Sequence, residues 1–107
     1  MNSYLVALYF GFQGECIPYN MVINASDGDL AERALCHMAR NWWPESEFNG
    51  NSGEWFWRFT HTSIEFGEIH LLDEVEKSVF EKFRFIDIWN ITLNQDELVI
   101  TDRHGYP

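Results

Sequence analysis

The sequence predicts an α+β domain: an antiparallel sheet in the order ββαββαββ with two amphipathic helices packed on one of its faces. Three observations lead there. Apolar residues alternate at a period of two in several short runs, they recur at a period of 3.6 in two others, and turn-forming residues separate the runs. The chain has 107 residues, enough for one core and too few for two independent ones, so residues 1–107 are expected to form a single domain.

Tyr4 to Phe12 is apolar on both alternations and rich in aromatic rings, the pattern of a central strand buried on both faces. Gln13, Gly14 and Glu15 supply a turn. Over Ile17 to Asn24, Ile17, Tyr19, Met21 and Ile23 alternate with Pro18, Asn20, Val22 and Asn24. Pro18 has no N–H to offer a neighbour, so this second strand is expected to start at an edge. Ser26 to Asp29 carries capping side chains for a first helix near residues 27–43. Its stripe is Leu30, Ala34, Met38 and Trp42, flanked by Ala31 and Leu35. Pro44 disfavours helical geometry in the residue before it and ends the helix.

Glu45 to Gly53 reads as an acidic, turn-rich loop, and Glu54 to Phe59 as a third strand with Trp55, Trp57 and Phe59 on one face. The fourth strand, Ile64 to Leu71, loses its alternation at Gly67, where a β-bulge is expected. Asp73 and Glu76 have capping-box spacing at the start of a second helix, near 73–84. The apolar face of that helix is Leu72, Val75, Val79 and Phe83, with Phe80 alongside. Phe85 to Leu93 and Glu97 to Thr101 complete the chain as a hairpin around Asn94, Gln95 and Asp96.

Composition narrows the function. Aromatic residues make up 17% of the chain and hydrophobic ones 46%, which excludes a disordered polymer. Seventeen acidic residues against seven basic ones give a net charge of −10. Such a chain repels nucleic acid and anionic membranes, whose binding is driven by Lys and Arg, so direct contact with either is not expected. The longest apolar run is about half of the roughly 18 residues that span a bilayer. Met1, Asn2 and Ser3 provide no basic start to a signal peptide. The expected location is the cytoplasm, with Cys16 and Cys36 reduced and serving as small hydrophobes.

No residue pattern specifies catalysis. Cys36 and His37 are neighbours on a helix, about 100° apart, and cannot face each other. Seventeen acids guarantee chance proximity, so no carboxylate pair can be read from spacing. Asn49 to Gly53 lacks the lysine and context of a phosphate loop. His61 and His70 with Glu65 and Glu68, or Asp27, Asp29 and Glu32, offer ligand types for a metal without the spacing that would hold one. The expectation is a protein with no catalytic residues, no metal and no cofactor.

Charge and aromatics point elsewhere. Residues 44–76 hold eight acids against Arg58 alone, which is seven of the ten net charges. Such a concentration attracts a basic partner and speeds its encounter. Aromatic rings flank the acids. Trp42, Trp55 and Trp57 read as core, whereas adjacency turns Trp43 and Phe56 outward as interface anchors. The partner-binding residues are thus expected to be Trp43, Glu45, Glu47, Glu54, Phe56, Glu65, Glu68, Asp73 and Glu74. The expected partner is a basic protein or nucleoprotein complex that handles nucleic acid, inhibited by carboxylates occupying the place of phosphates. Phage anti-defence inhibitors (anti-CRISPR and anti-restriction proteins) and immunity proteins against nuclease toxins share this size, charge and aromatic content. The alternative is a small-ligand protein or enzyme using an open sheet face near Trp55, Trp57, His61 and His70. The sequence leaves the choice between monomer and homodimer open.

Overall fold

A strand that is apolar on both alternations needs cover on both faces, and strand β1, Asn2–Phe12, has it. The computed structural model describes residues 1–12, 14–42, 47–49, 56–58 and 62–103. β1 lies in the middle of a sheet whose order is β3-β4-β5-β1-β2-β6-β7. Five strands are long: β1, β2 (Glu15–Ala25), β5 (Thr62–Leu71), β6 (Asp87–Asn94) and β7 (Glu97–Asp102). Two three-residue strands, β3 (Glu47–Asn49) and β4 (Phe56–Arg58), extend the β5 side. The long strands and two helices, α1 (Gly28–Trp42) and α2 (Glu74–Glu81), run ββαβαββ.

The class is therefore α+β as expected, but the order ββαββαββ is not what forms. Of the expected third strand, Phe56–Arg58 is β4 and residues 54, 55 and 59 lie outside the described residues, while the expected loop contains β3. Nor is the sheet wholly antiparallel. β1 pairs antiparallel with β2 and β5, and β6 with β7, but β2 and β6 are parallel from Met21↔Asp87 to Asn24↔Asn90. A helix between two strands frees the second from the hairpin constraint. The connection through α2 therefore carries the chain past β1 and β2 and lays β6 down in the direction of β5. Because β6 pairs only from Met21 onward, the half of β2 containing Pro18 has β1 on one side and, among the described residues, no strand on the other, in keeping with its missing N–H.

The helices also occupy opposite faces, not one. Tyr4, Val6 and Leu8 of β1, Met21, Ile23 and Ala25 of β2 and Ile91 of β6 pack beneath Leu30, Ala31, Ala34, Leu35 and Met38 of α1. Fully burying one such Leu, Ile or Met stabilises by roughly 1.5–3 kcal/mol. On the other face Val22, Ile88, Leu72 and Ile86 form a second cluster with Leu5, and Phe80 of α2 reaches it. The anticipated stripe of α2 is mostly uncovered: Val75 is 74% exposed, and Val79 and Phe83 are exposed too. Two turns of helix bring one large side chain to the sheet, and Leu72 and Ile86, just outside the helix, do the rest.

Side-chain caps fix the ends of both helices. Leu30 N–H donates to Asp27 Oδ1 at 2.8 Å. Asp73 accepts from Glu76 N–H at 2.8 Å while Glu76 Oε1 accepts from Asp73 N–H at 3.1 Å, a complete capping box. The β6–β7 turn is made by Gln95 and Asp96, both at positive φ (51° and 66°), the geometry whose twist suits a two-residue hairpin. One end of the α2 face is polar. The Ser3 hydroxyl donates to Asn24 Oδ1, Asn24 Nδ2 donates to Asn90 Oδ1 at 2.8 Å, and the three strands are thereby tied side chain to side chain.

The β5 bulge falls where the broken alternation places it. Ala7 pairs with Glu68 and Leu8 with Phe66, leaving Gly67 as the extra residue. The Tyr9 ring lies against Gly67; a Cβ there would stand 2.9 Å from Tyr9 Cδ2 and 3.1 Å from the Ala7 carbonyl oxygen. Gly67→Ala is expected to destabilise by about 1–3 kcal/mol through overpacking, and Tyr9→Ala to relieve most of that cost. Urea unfolding of the parent, both single variants and the double variant measures the coupling. Additive effects would show that the ring does not enforce the glycine.

Candidate functional site

Two surface features stand out, one on each face of the sheet. The first is an acidic strip on the α2 face, and it follows from the bulge. Glu65 and Glu68 are three residues apart and would point to opposite faces of a regular strand. With Gly67 looped out, Glu65 pairs with Tyr9 and Glu68 with Ala7, residues that share one face of β1. Both carboxylates therefore lie on one side, with His70 further along. Phe66 and Ile69, moved by the same slip, both turn to the α1 core. β5 then leads into Asp73, Glu74 and Glu76 in the first turn of α2.

The expected partner residues divide accordingly. Glu65, Glu68 and Glu74 are exposed, and none pairs with a Lys or Arg whose side chain is described. Asp73 is exposed too, but its carboxylate is engaged as the cap of α2. Glu76 adds to the strip and stands 3.8 Å from His70 Nε2, an ion pair only when the imidazole is protonated. Glu47 and Phe56 lie on β3 and β4, where Glu47 is opposite Arg58 and Phe56 opposite Glu65. Trp43, Glu45 and Glu54 lie outside the described residues, as do Trp55 and His61 of the alternative ligand site; Trp57 is on β4.

Three of the cations stand apart from this strip, whereas Lys77 follows Glu76 on α2 and Arg58 lies on β4 beside β5. Lys82 and Arg84, just beyond α2, join Arg103 and Glu81 around a cavity of about 590 Å³. The Nε and Nη2 atoms of Arg103 are buried there without a hydrogen-bond partner among the described residues. α2 thus has Glu74 and Glu76 at its N-terminal end and Lys82 and Arg84 past its C-terminal end, signs opposite to the helix dipole they meet, with Glu81 in the last turn as the exception.

The second feature is an aromatic cleft on the α1 face that the sequence did not announce. Phe10 of β1 stacks on Tyr19 of β2, with ring centroids 5.6 Å apart and planes at 10°. Trp42, the last residue of α1, tilts against Trp89 of β6 at 5.7 Å and 51°. These four rings and Asp87 line an open hollow of about 360 Å³. A second hollow of about 550 Å³ shares Trp42 and Trp89 and continues toward Leu98 and Ile100 of β7. Trp42 is therefore not the core residue expected from its stripe. At the helix terminus it overhangs the sheet and remains 38% exposed. The Tyr19 hydroxyl donates to Asp87 Oδ2. Burial first, then this bond and the charge of Asp87, push the Tyr19 phenol well above its ordinary value.

The cysteines are both free thiols, Cys16 exposed and Cys36 partly buried. Desolvation raises the Cys36 pKa, with Glu32 adding to the effect and Arg40 opposing it, so this group is a thiol near neutral pH. Among the described residues no three His, Cys, Asp or Glu side chains converge in a way that could hold a metal ion. Among them, too, no helix is long and apolar enough to cross a membrane. Comparison of the chain with protein-family models, with curated proteins and with solved structures finds no match.

The Tyr19–Asp87 contact has a pH signature. The folded-state phenol has the higher pKa, so its contribution to stability is complete below about pH 10, the unfolded value, and is lost as pH rises from there toward the folded value. The stability difference between the parent and Tyr19→Phe, taken from urea unfolding between pH 8.5 and 11, is expected to stay constant up to about pH 9.5 and shrink above it. A difference that is flat throughout would mean that Tyr19 ionises as freely in the folded chain as in the unfolded one.

Proposed function

We propose that this protein is a non-enzymatic inhibitor that binds a basic, nucleic-acid-handling protein or complex in the cytoplasm. The observation that carries this reading is that a β-bulge turns Glu65 and Glu68 to one face of β5, which leads on to Glu74 at the start of α2, with no ion pair from these three to a described Lys or Arg side chain. Carboxylates on a strand and a following helix turn offer a nucleic-acid site what a phosphate backbone offers, several negative charges in succession. Of the biological settings that use such chemistry, phage anti-defence, as an anti-CRISPR or anti-restriction inhibitor, is the reading adopted. Immunity against a nuclease toxin requires the same surface and differs only in the enzyme inhibited.

The remaining expected anchors, Trp43, Glu45, Glu47, Glu54 and Phe56, belong to the same proposal. They precede β5 in the chain, and Phe56 stands opposite Glu65 in the pairing of β4 with β5, so an interface centred on β5 would extend toward them. Aromatic anchors act mainly on dissociation and exposed charges mainly on association.

The test is inhibition of DNA cleavage by the restriction and CRISPR effectors of a candidate host, and of nuclease toxins in a parallel series. An effector inhibited by the parent should bind it more weakly as salt rises, because attraction between exposed charges is screened over about 8 Å at physiological ionic strength. The triple variant Glu65→Lys, Glu68→Lys, Glu74→Lys spares the Asp73 cap. It is expected to associate at least about tenfold more slowly and to lose most of that salt dependence. Full inhibition by the triple variant at both low and high salt would remove the strip from the mechanism.

A further inference from the structure

The aromatic cleft lies on the face of the sheet opposite the acidic strip, so its chemistry stands apart from the function just proposed. Its walls come from four separate elements: Phe10 from β1, Tyr19 from β2, Trp42 from α1 and Trp89 from β6. The remaining wall residue is Asp87, whose carboxylate is held by the Tyr19 hydroxyl at the start of β6. No Lys or Arg lines this cavity among the described residues. Four π-systems and one carboxylate around about 360 Å³ make a site that is apolar in composition and negative in potential.

We propose that this cavity binds a weakly hydrated organic cation, a guanidinium or methylated ammonium head group. Aromatic rings attract a cation through their quadrupole, and the attraction grows as water is removed. A strongly hydrated ammonium loses more on entering such a box than a guanidinium or a methylated ammonium does. Asp87 supplies the one full counter-charge, fixed in place by Tyr19, while a neutral ligand of the same shape would leave that carboxylate uncompensated. The adjoining hollow, bounded by His37, Met38, Asn41, Leu98 and Ile100, gives room for whatever carries the head group. That carrier is a free small molecule or a side chain on a peptide, and the chemistry of the box is common to both.

The experiment compares each cation with its uncharged twin on the intact chain. Choline is paired with 3,3-dimethylbutanol, and N-acetyl-arginine amide with N-acetyl-citrulline amide. Binding is read from the indole N–H resonances of Trp42 and Trp89, assigned with Trp42→Phe and Trp89→Phe. At least one cation is expected to move both resonances and to bind about tenfold or more tightly than its twin. Preference confined to choline identifies a free methylated ammonium as the source, and preference for the arginine amide a peptide side chain. Asp87→Asn keeps an oxygen to accept the Tyr19 hydroxyl and should weaken the cation about tenfold without affecting the twin. The triple lysine variant of the acidic strip should bind the cation within about twofold of the parent, so failure of one site is not failure of the other. Twins that bind equally, cations that bind less than about tenfold better than their twins, or cations that leave both indoles unmoved at about 10 mM would each overturn the proposal. The comparison of cation with twin on the parent protein holds whether or not the Asp87 variant folds.

Discussion

Everything in this fold depends on the two-sided burial of β1. Val6 and Leu8 are fully buried against the α1 layer, while Leu5 and Ala7 face the other way and are covered as well. A strand in that situation cannot stand at an edge, so it recruits a partner on each side: β2 through the tight turn at Gly14, β5 through the longer route by α1. Its second face must then be closed. The connection after β5 closes it, because Leu72, Phe80 and Ile86 all come from the segment between β5 and β6. The parallel pairing of β2 with β6 follows, since a chain that has crossed over the second face returns running in the direction it left.

The bulge at Gly67 is where packing and surface chemistry meet. One looped-out residue lets Phe66 and Ile69 both serve the α1 core and Glu65 and Glu68 both face the opposite side. A regular strand could not do this, because a period of two separates residues three apart. The acidic strip is thus not an independent surface decoration. It exists because β5 must satisfy β1 on both sides of a break in register, and the glycine that permits the break is held against the Tyr9 ring.

Local features were legible in the sequence for a physical reason: they are decided by neighbours a few residues away. The capping box of Asp73 and Glu76, the Asp27 cap, the turn at Gln95 and Asp96 and the bulge at Gly67 all belong to this group. Layer assignment was less legible. Periodicity shows that Val75, Val79 and Phe83 share a stripe, but not whether a sheet is there to cover it, and in a two-turn helix Phe80 alone makes the contact. A reading of β1 as buried on both faces already conflicted with placing both helices on one face, and the structure resolves the conflict in favour of β1. The aromatic cleft was not legible at all. Trp42 read as core, Phe10 and Tyr19 only as strand residues, and nothing singled out Trp89; only the three-dimensional pairing of β2 with β6 sets Tyr19 beside Asp87.

The distribution of charge gives the molecule a direction that its net charge alone would not. A uniform excess of carboxylates would attract any cation from any side and fix no orientation. Here three of the seven basic residues, Lys82, Arg84 and Arg103, gather at the far end of α2, while Glu65, Glu68 and Glu74, at its near end and along β5, form no ion pair with a described Lys or Arg side chain. Glu74 and Lys82 are separated by about the 12 Å length of the helix, longer than the distance over which exposed charges are screened at physiological ionic strength. The two ends therefore act as distinct poles. The helix dipole favours Glu74 and Glu76 at one end and Lys82 and Arg84 past the other, so their separation also stabilises α2, the helix that contributes less to burial. A basic surface approaching the strip would be attracted at one pole and repelled at the other, and that opposition selects a docking orientation before any side chains meet.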